Sequence, residues 1–446
     1  MRTEPPAGDA QSAGDSGLAR KVTPGLLLVM VIGNVLGAGI YVVTGEVAGE
    51  VGGATWLAFA IAFVVAALSA LSLCELVTKY PGATGVALYV DTAFRKPMLT
   101  FVVGFTVLAS GLTSAATASR AFGGDYLREF ASVDTTLAAA GFLLALALAN
   151  YIGVVFSLRA NLLMTVIEVG GLIIVMIAGA LVLSSGDGDL TRPLNLTGDG
   201  QLVPVVLLSG AAIAFFSFLG FEDVANMSEE VQRPRISFPV ALFGGLAVTA
   251  TIYLLVTFIA VAAVGPERLE ASTAPLLAVV DQSPLGVSSE FFAAIALIAV
   301  ANTALANLVM GSRLLYGMAR RGLVPAVFGK VDRNRSTPWV AVIATGLVAF
   351  LLAATGDLGA LARTTVLLLL SVLILMNVSA IRLRSDAVSH AHFVAPVWAA
   401  WLGAATCGAL IVNQTARDGW GEPLRAGLVV AVGAVVYVLE ARRQEA

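Results

Sequence analysis

The sequence predicts an all-α polytopic membrane protein, and three observations carry that reading. Of 446 residues, 58% are apolar and only 12% charged, whereas an ordinary soluble domain has about a quarter charged. The apolar residues fall in blocks of the length that crosses about 30 Å of hydrocarbon, roughly 20 residues as helix, and mean hydropathy is +0.90. Two blocks are interrupted near their middles by glycine-bearing motifs, Gly33-Asn34-Val35-Leu36-Gly37-Ala38-Gly39-Ile40 and Phe215-Phe216-Ser217-Phe218-Leu219-Gly220-Phe221. In lipid every backbone N–H and C=O needs a partner, so such breaks are tolerated where the freed groups are buried in protein or line a cavity.

Charge-free runs place twelve spans in order: 24–43, 54–74, 98–119, 135–156, 162–184, 203–226, 240–264, 289–312, 338–355, 360–381, 394–413 and 426–439. Residues 1–20, with Pro5, Pro6, Gly8, Asp9, Gly14 and Gly17, read as a disordered tail. They lack the charged start and short apolar run of a secretory signal. Lys and Arg set the orientation. With the N-terminus inside, cytoplasmic segments collect 19 of the 26 basic residues and outer loops six, with Arg363 near an outer span end. Both termini are therefore expected in the cytoplasm, in a multi-pass protein of the cytoplasmic membrane.

The broken spans are the first and the sixth. Five is an odd number, so a unit of spans six to ten enters the bilayer from the opposite face to spans one to five. Gly37 and Gly220 lie 183 residues apart, close to the 179-residue offset between the span starts at 24 and 203. The expected organisation is a five-plus-five inverted repeat, residues 21–185 and 200–385, followed by peripheral spans eleven and twelve with the C-terminus in 390–446. Paired, interrupted spans in corresponding positions are the sequence pointer to a transporter's central site. The plainer reading is that glycines serve close helix packing.

A broken helix exposes N–H groups at one half's N-terminus, where an anion is favoured, and carbonyls at the other half's C-terminus. The pair matches a zwitterionic α-amino acid without any charged side chain. Gly37, Ala38 and Gly39 are small enough for backbone to touch a ligand. Phe216 and Phe218 are candidates for an apolar lid, or equally for packing.

Ionisable groups inside spans are costly and are functional candidates. Glu222 and Asp223 follow the second break, where a proton-binding role competes with capping of the lower half-helix. Glu168 sits within the apolar run from Leu162 to Leu183. Proton carriage, a cation site and a buried hydrogen bond all fit it. Glu75, Arg313, Arg320 and Arg321 read as gate or interface charges, and Asn302, Thr303 and Asn307 as polar groups facing the bundle interior.

Other chemistry finds little support. Net charge is −3, which argues against a nucleic-acid partner; a small-molecule substrate and the lipid bilayer are the expected partners, and no protein partner is indicated. Cys74 and Cys407 lie in apolar runs, away from any disulfide or metal framework. His390 and His392 are the only histidines, and no HExxH or Ser–His arrangement marks a hydrolase. No catalytic residue, metal ligand or cofactor is expected.

In these motifs the chain resembles the amino acid–polyamine–organocation transporters, bacterial-type amino acid permeases among them. The matching residues run in order: Gly37-Ala38-Gly39-Ile40; Glu75-Leu76 with Pro81-Gly82 and Gly85; Arg159-Ala160-Asn161; Phe215 to Glu222; Glu229-Glu230-Val231 with Pro234; and Ser312-Arg313-Leu314-Leu315-Tyr316-Gly317-Met318-Ala319-Arg320 with Gly322, Pro325 and Thr337-Pro338. The resemblance implies the five-plus-five inverted-repeat fold and alternating access to a central site. It implies that backbone around Gly37, Ala38, Gly39 and Ile40 binds a substrate carboxylate and that carbonyls around Phe216, Ser217, Leu219 and Gly220 bind its amine. Phe216 falls at an aromatic gate and Glu222 at a proton-sensitive acid of some exchangers. One departure stands out: some proton-coupled relatives carry Lys in span five, in a stretch like Val-Lys-Leu-Gly-Gly-Leu, where this chain reads Ile167-Glu168-Val169-Gly170-Gly171-Leu172.

The expected function is secondary active transport of an α-amino acid by proton symport, through Glu168 or Glu222, with sodium as the alternative coupling ion. Transport or exchange of cationic amino acids or polyamines is the runner-up. A non-transporting amino acid sensor is a third reading, disfavoured by the absence of an added soluble domain.

Overall fold

A computed structural model describes residues 22–445 apart from 83–84, 153–157, 196–202, 333–334 and 336. The expected tail over residues 1–20 lies outside the described residues. α1 (Pro24–Leu36) and α2 (Gly39–Val51) flank the first break, and a 3₁₀ turn at Gly52–Ala54 leads into α3 (Thr55–Lys79). Then come α4 (Val86–Phe94), α5 (Pro97–Phe122), α6 (Asp125–Arg128), α7 (Thr135–Ile152) and α8 (Leu158–Ser185). α9 (Val203–Phe215) stops at the second break, which continues through 3₁₀ stretches at Phe216–Phe218 and Glu222–Glu230. α10 (Pro234–Val264), α11 (Pro266–Glu270), α12 (Pro275–Gln282), α13 (Ser289–Arg320), α14 (Trp339–Thr355), α15 (Leu358–Arg382), α16 (Val397–Asp418) and α17 (Gly421–Glu445) complete the chain.

Among the described residues no strand forms beyond two isolated bridges, Val22 with Val231 and Asp332 with Thr337. Among the described residues ten helical runs are long and apolar enough to cross a membrane, and α1 and α14 are shorter apolar helices. One of these runs, Gly39–Lys79, is divided by the turn at Gly52–Ala54 into α2 and α3.

Local chemistry sets several helix starts. Thr23 Oγ1 accepts from Leu26 N at 3.3 Å with Pro24 in the first turn, and Asp357 and Ser288 cap α15 and α13 in the same way. These side chains satisfy N–H groups that have no intrahelical acceptor. Several helices outrun the charge-free stretches that mark them in sequence: α2 continues to Val51 instead of 43, α3 to Lys79 instead of 74, and α13 to Arg320 instead of 312. In α2 and α3 some of the charges beyond those limits are paired. Glu50 meets Arg417 at 3.0 Å, Glu75 meets Arg384 at 3.3 Å, and Lys79 Nζ donates to the Leu383 carbonyl at 2.7 Å.

The bundle packs α10 against α1 and α3, α9 against α2 and α3, and α13 and α15 against α5. α17 lies at the edge with Leu424, Leu428, Val432, Val435 and Leu439 exposed, a face suited to lipid. α16 is more enclosed, packing on α15, α3 and α9 and burying Cys407, Leu410 and Gln414. Trp398 and Trp401 near its start and Trp420 beyond its end are exposed, as aromatic anchors at two membrane interfaces are. Val22 N donates to Glu230 O at 3.0 Å and Gln232 N to Val22 O at 2.9 Å, so the entry to α1 is tied to the exit from the second break.

Gly53 shows how tightly the α2–α3 corner is packed, since a Cβ there would collide with the carbonyl oxygens of Arg192 and Asn195. Gly53→Ala is expected to destabilise the fold by about 1–3 kcal/mol, the usual effect of overpacking. Gly25→Ala, which meets nothing within 4 Å, is the control. Thermal unfolding of both variants in detergent checks the contrast.

Candidate functional site

The two breaks, far apart in sequence, lie against each other. A Cβ on Gly39 would sit 2.5 Å from Ser217 Cα, and one on Gly220 would sit 2.7 Å from the Asn34 carbonyl oxygen. Gly220 also has φ of +104°, a conformation that L side chains rarely adopt. Glycine is therefore needed at both positions, first by contact and second by contact and dihedral together. Leu219 just before it is extended, with φ −60° and ψ 146°. Gly37, Ala38, Gly39, Ile40, Phe216 and Ser217 are all buried, and Leu219 and Gly220 half-buried.

The N–H inventory is short. Ala38 N donates to Thr303 Oγ1 at 2.8 Å, and the first α2 bond runs from Val42 N to Ala38 O at 3.0 Å. Helix geometry leaves the N–H groups of Gly39, Ile40 and Tyr41 without an intrahelical acceptor, at the positive end of the α2 dipole. Ser217 Oγ, beside Gly39, is buried with no hydrogen-bond partner.

Carbonyls gather on the other side. The Tyr253 hydroxyl, from α10, lies 2.7 Å from Val35 O and 3.1 Å from Ser217 O. Its single proton is shared between the C-terminal ends of both broken helices. The ring is held edge-on by Phe218 and Phe59, with centroids at 5.3 and 5.8 Å. Phe218 thus packs on Tyr253, while Phe216, 4% exposed, sits in the 3₁₀ turn of the break itself.

The two candidate acids differ in surroundings. Glu222 Oε2 accepts from Gly220 N at 3.1 Å, so its carboxylate serves the backbone of its own turn. Asp223 contributes its backbone N–H to Gly220 O at 3.3 Å. Glu168, on α8, is fully buried. Its Oε1 accepts from Asn302 Nδ2 at 3.0 Å, and its backbone carbonyl accepts from the Tyr41 hydroxyl at 2.7 Å. Glu168 Oε2 and Asn302 Oδ1 have no partner. Asn307 donates to Ser114 Oγ at 3.2 Å and to Thr303 O at 3.0 Å.

Among the polar groups read from sequence, α13 therefore delivers Asn302 to Glu168 and Thr303 to the first break. Glu75 has different partners, accepting from Arg384 and from Ala395 N. Side chains of Arg159, Ala160 and Asn161 lie outside the described residues. Sequence reasoning missed Tyr253 and Tyr126, whose hydroxyl donates to Tyr41 O at 3.1 Å. The available signal was a tyrosine within an apolar run, because a buried phenol needs a hydrogen-bond partner.

Comparison with known proteins follows the same line. A family model described as amino acid permease matches residues 27–440. The chain is 24% identical to the branched-chain amino acid permease BcaP of Bacillus subtilis, over 97% of this chain and 96% of that protein. It is 27% identical to the methylthioribose transporter of the same organism, over 84% of this chain and 83% of the relative. With the chloroplastic cationic amino acid transporter 9 of Arabidopsis thaliana it shares 28% identity across 72% of its length, and it spans 58% of that relative.

Tyr253→Phe keeps the ring contacts and removes the hydroxyl that holds the carbonyls of Val35 and Ser217. Leaving a buried acceptor unsatisfied costs about 1–3 kcal/mol, and a loss of that size in unfolding stability is expected. Unchanged stability in detergent would mean that these carbonyls do not depend on Tyr253.

Proposed function

The chain belongs to the amino acid permease family, and on that premise we propose that it is a secondary active transporter of an α-amino acid. The family and the relatives above are transporters, not enzymes, and the helical runs make this a multi-pass membrane protein. The observation that carries the reading is the contact of the two breaks, Gly39 against Ser217. It sets the free N–H groups at the start of α2 beside the carbonyl ends of α1 and α9. A carboxylate is suited to the first and an ammonium to the second.

In this reading Gly37, Ala38, Gly39 and Ile40 surround the carboxylate, and Phe216, Ser217, Leu219 and Gly220 the amine, with Phe216 as the gate. The transport unit is twelve spans, with residues 21–185 and 200–385 as opposed five-span repeats and 390–446 as the final pair. Both termini face the cytoplasm in the cytoplasmic membrane, and access alternates around the breaks. Glu168 is the favoured coupling group over Glu222, because Glu222 already accepts from Gly220 N. The coupling ion is a proton, with sodium as the competitor.

A second reading, transport of cationic amino acids or polyamines, draws support from the buried Glu168, which joins no ion pair among the described residues. Reconstituted in liposomes with an inward proton gradient, the protein is expected to accumulate at least one neutral α-amino acid. The matching amide should compete about tenfold less well, since a hydrogen bond to a charged group contributes about 1.5–3 kcal/mol. Gly39→Ala, which drives a methyl into Ser217, should lose uptake. Preference for lysine, arginine or polyamines would establish the second reading, and no uptake of any of these under proton or sodium gradients would overturn both.

A further inference from the structure

Glu168 and Asn302 present an incomplete pair. A planar carboxyl and a planar amide already share one hydrogen bond, Asn302 Nδ2 to Glu168 Oε1 at 3.0 Å. The remaining oxygen of each, Glu168 Oε2 and Asn302 Oδ1, is buried and has no partner. Both are acceptors when the carboxyl is ionised, and an amide oxygen never donates. Two buried acceptors without a donor are a double deficit, and each unsatisfied group carries a desolvation penalty.

We propose that Glu168 and Asn302 together form a proton-binding site, with the proton on Glu168 Oε2 donated to Asn302 Oδ1. One proton supplies the missing donor and closes the second hydrogen bond of an acid–amide ring. The inference rests on the transport reading and deepens it by assigning the coupling ion to a particular pair of atoms.

The surroundings favour this occupant. The titratable groups that face Glu168 are Tyr41 of α2 and Tyr253 of α10, and both hydroxyls already donate to backbone carbonyls. Among the described residues no lysine, arginine or histidine forms an ion pair with the carboxyl. An ionised carboxylate would stand uncompensated in a low-dielectric interior, at a penalty of several kcal/mol. The site also adjoins the substrate break. Asn302 is followed directly by Thr303, whose hydroxyl holds Ala38 N–H, so gain or loss of the proton acts one residue from the first break.

Glu168→Gln tests the pair, because a glutamine amide can close the same ring without a proton. In liposomes the variant should keep exchange of substrate across the membrane and lose proton-driven accumulation by about tenfold or more, within the span of coupling free energies between sites. Infrared spectroscopy of the full-length protein at neutral pH gives a readout independent of transport. The wild type should show a protonated-carboxyl band that shifts in heavy water and is absent in Glu168→Gln. Should that variant fail to fold, Asn302→Leu removes the ring partner instead, and the band should move in frequency.

Absence of the band in wild type, or an unmoved band in Asn302→Leu, would overturn the proton site. So would wild-type proton-driven accumulation in Glu168→Gln, or accumulation in wild type driven by sodium at fixed pH. A wild type that moves no amino acid would instead overturn the transport reading, and the infrared band would still decide whether the pair holds a proton.

Discussion

The structure depends on one constraint: a helix broken inside a bilayer must have its freed backbone groups satisfied by protein. Here two broken helices meet this demand by being placed against each other and against α10 and α13. Gly39 touches Ser217, Gly220 touches the Asn34 carbonyl, and no larger residue fits at either contact. Thr303 takes the Ala38 N–H, Glu222 takes the Gly220 N–H, and Tyr253 bridges the carbonyls of Val35 and Ser217. Among the described residues Ser217 Oγ at the breaks, and Glu168 Oε2 and Asn302 Oδ1, are polar atoms left buried without a partner.

Three tyrosines do much of this pairing. Tyr126 of α6 donates to Tyr41 O, Tyr41 of α2 donates to Glu168 O, and Tyr253 of α10 donates at the breaks. Each combines an apolar ring that fills the core with one hydroxyl that reaches backbone. They link α6 to α2, α2 to α8, and α10 to α1 and to the 3₁₀ turn of the second break. Movement of one of these elements relative to its partner would exchange or break such a bond.

Charges toward the ends of the helices do a different job. Glu50 with Arg417 joins α2 to α16, Arg363 with Glu422 joins α15 to α17, and Glu75 with Arg384 joins α3 to the segment after α15. Half-buried pairs of this kind add little net stability but resist removal of one partner. Two of these pairs, at Glu50 and Glu75, fall in the turns by which α2 and α3 run on past the charge-free stretches.

Composition and block length alone determined that the chain is a helical membrane protein. The glycine motifs alone located the breaks at 37–39 and 220, because short glycine-rich sequence limits what a helix can do locally. The intramembrane position of Glu168 was equally legible, as were Asn302 and Thr303 as inward-facing polar groups. Their partners were not. Ala38 and Thr303 are 265 residues apart, Val35 and Tyr253 218, and Glu168 and Asn302 134. Hydrogen-bond pairing is decided by which helix faces pack, and that information is absent from any local stretch. Tertiary structure therefore supplied the pairing: Glu222 accepts from the backbone of its own turn, whereas among the described residues Glu168 Oε2, Asn302 Oδ1 and Ser217 Oγ are buried without a partner.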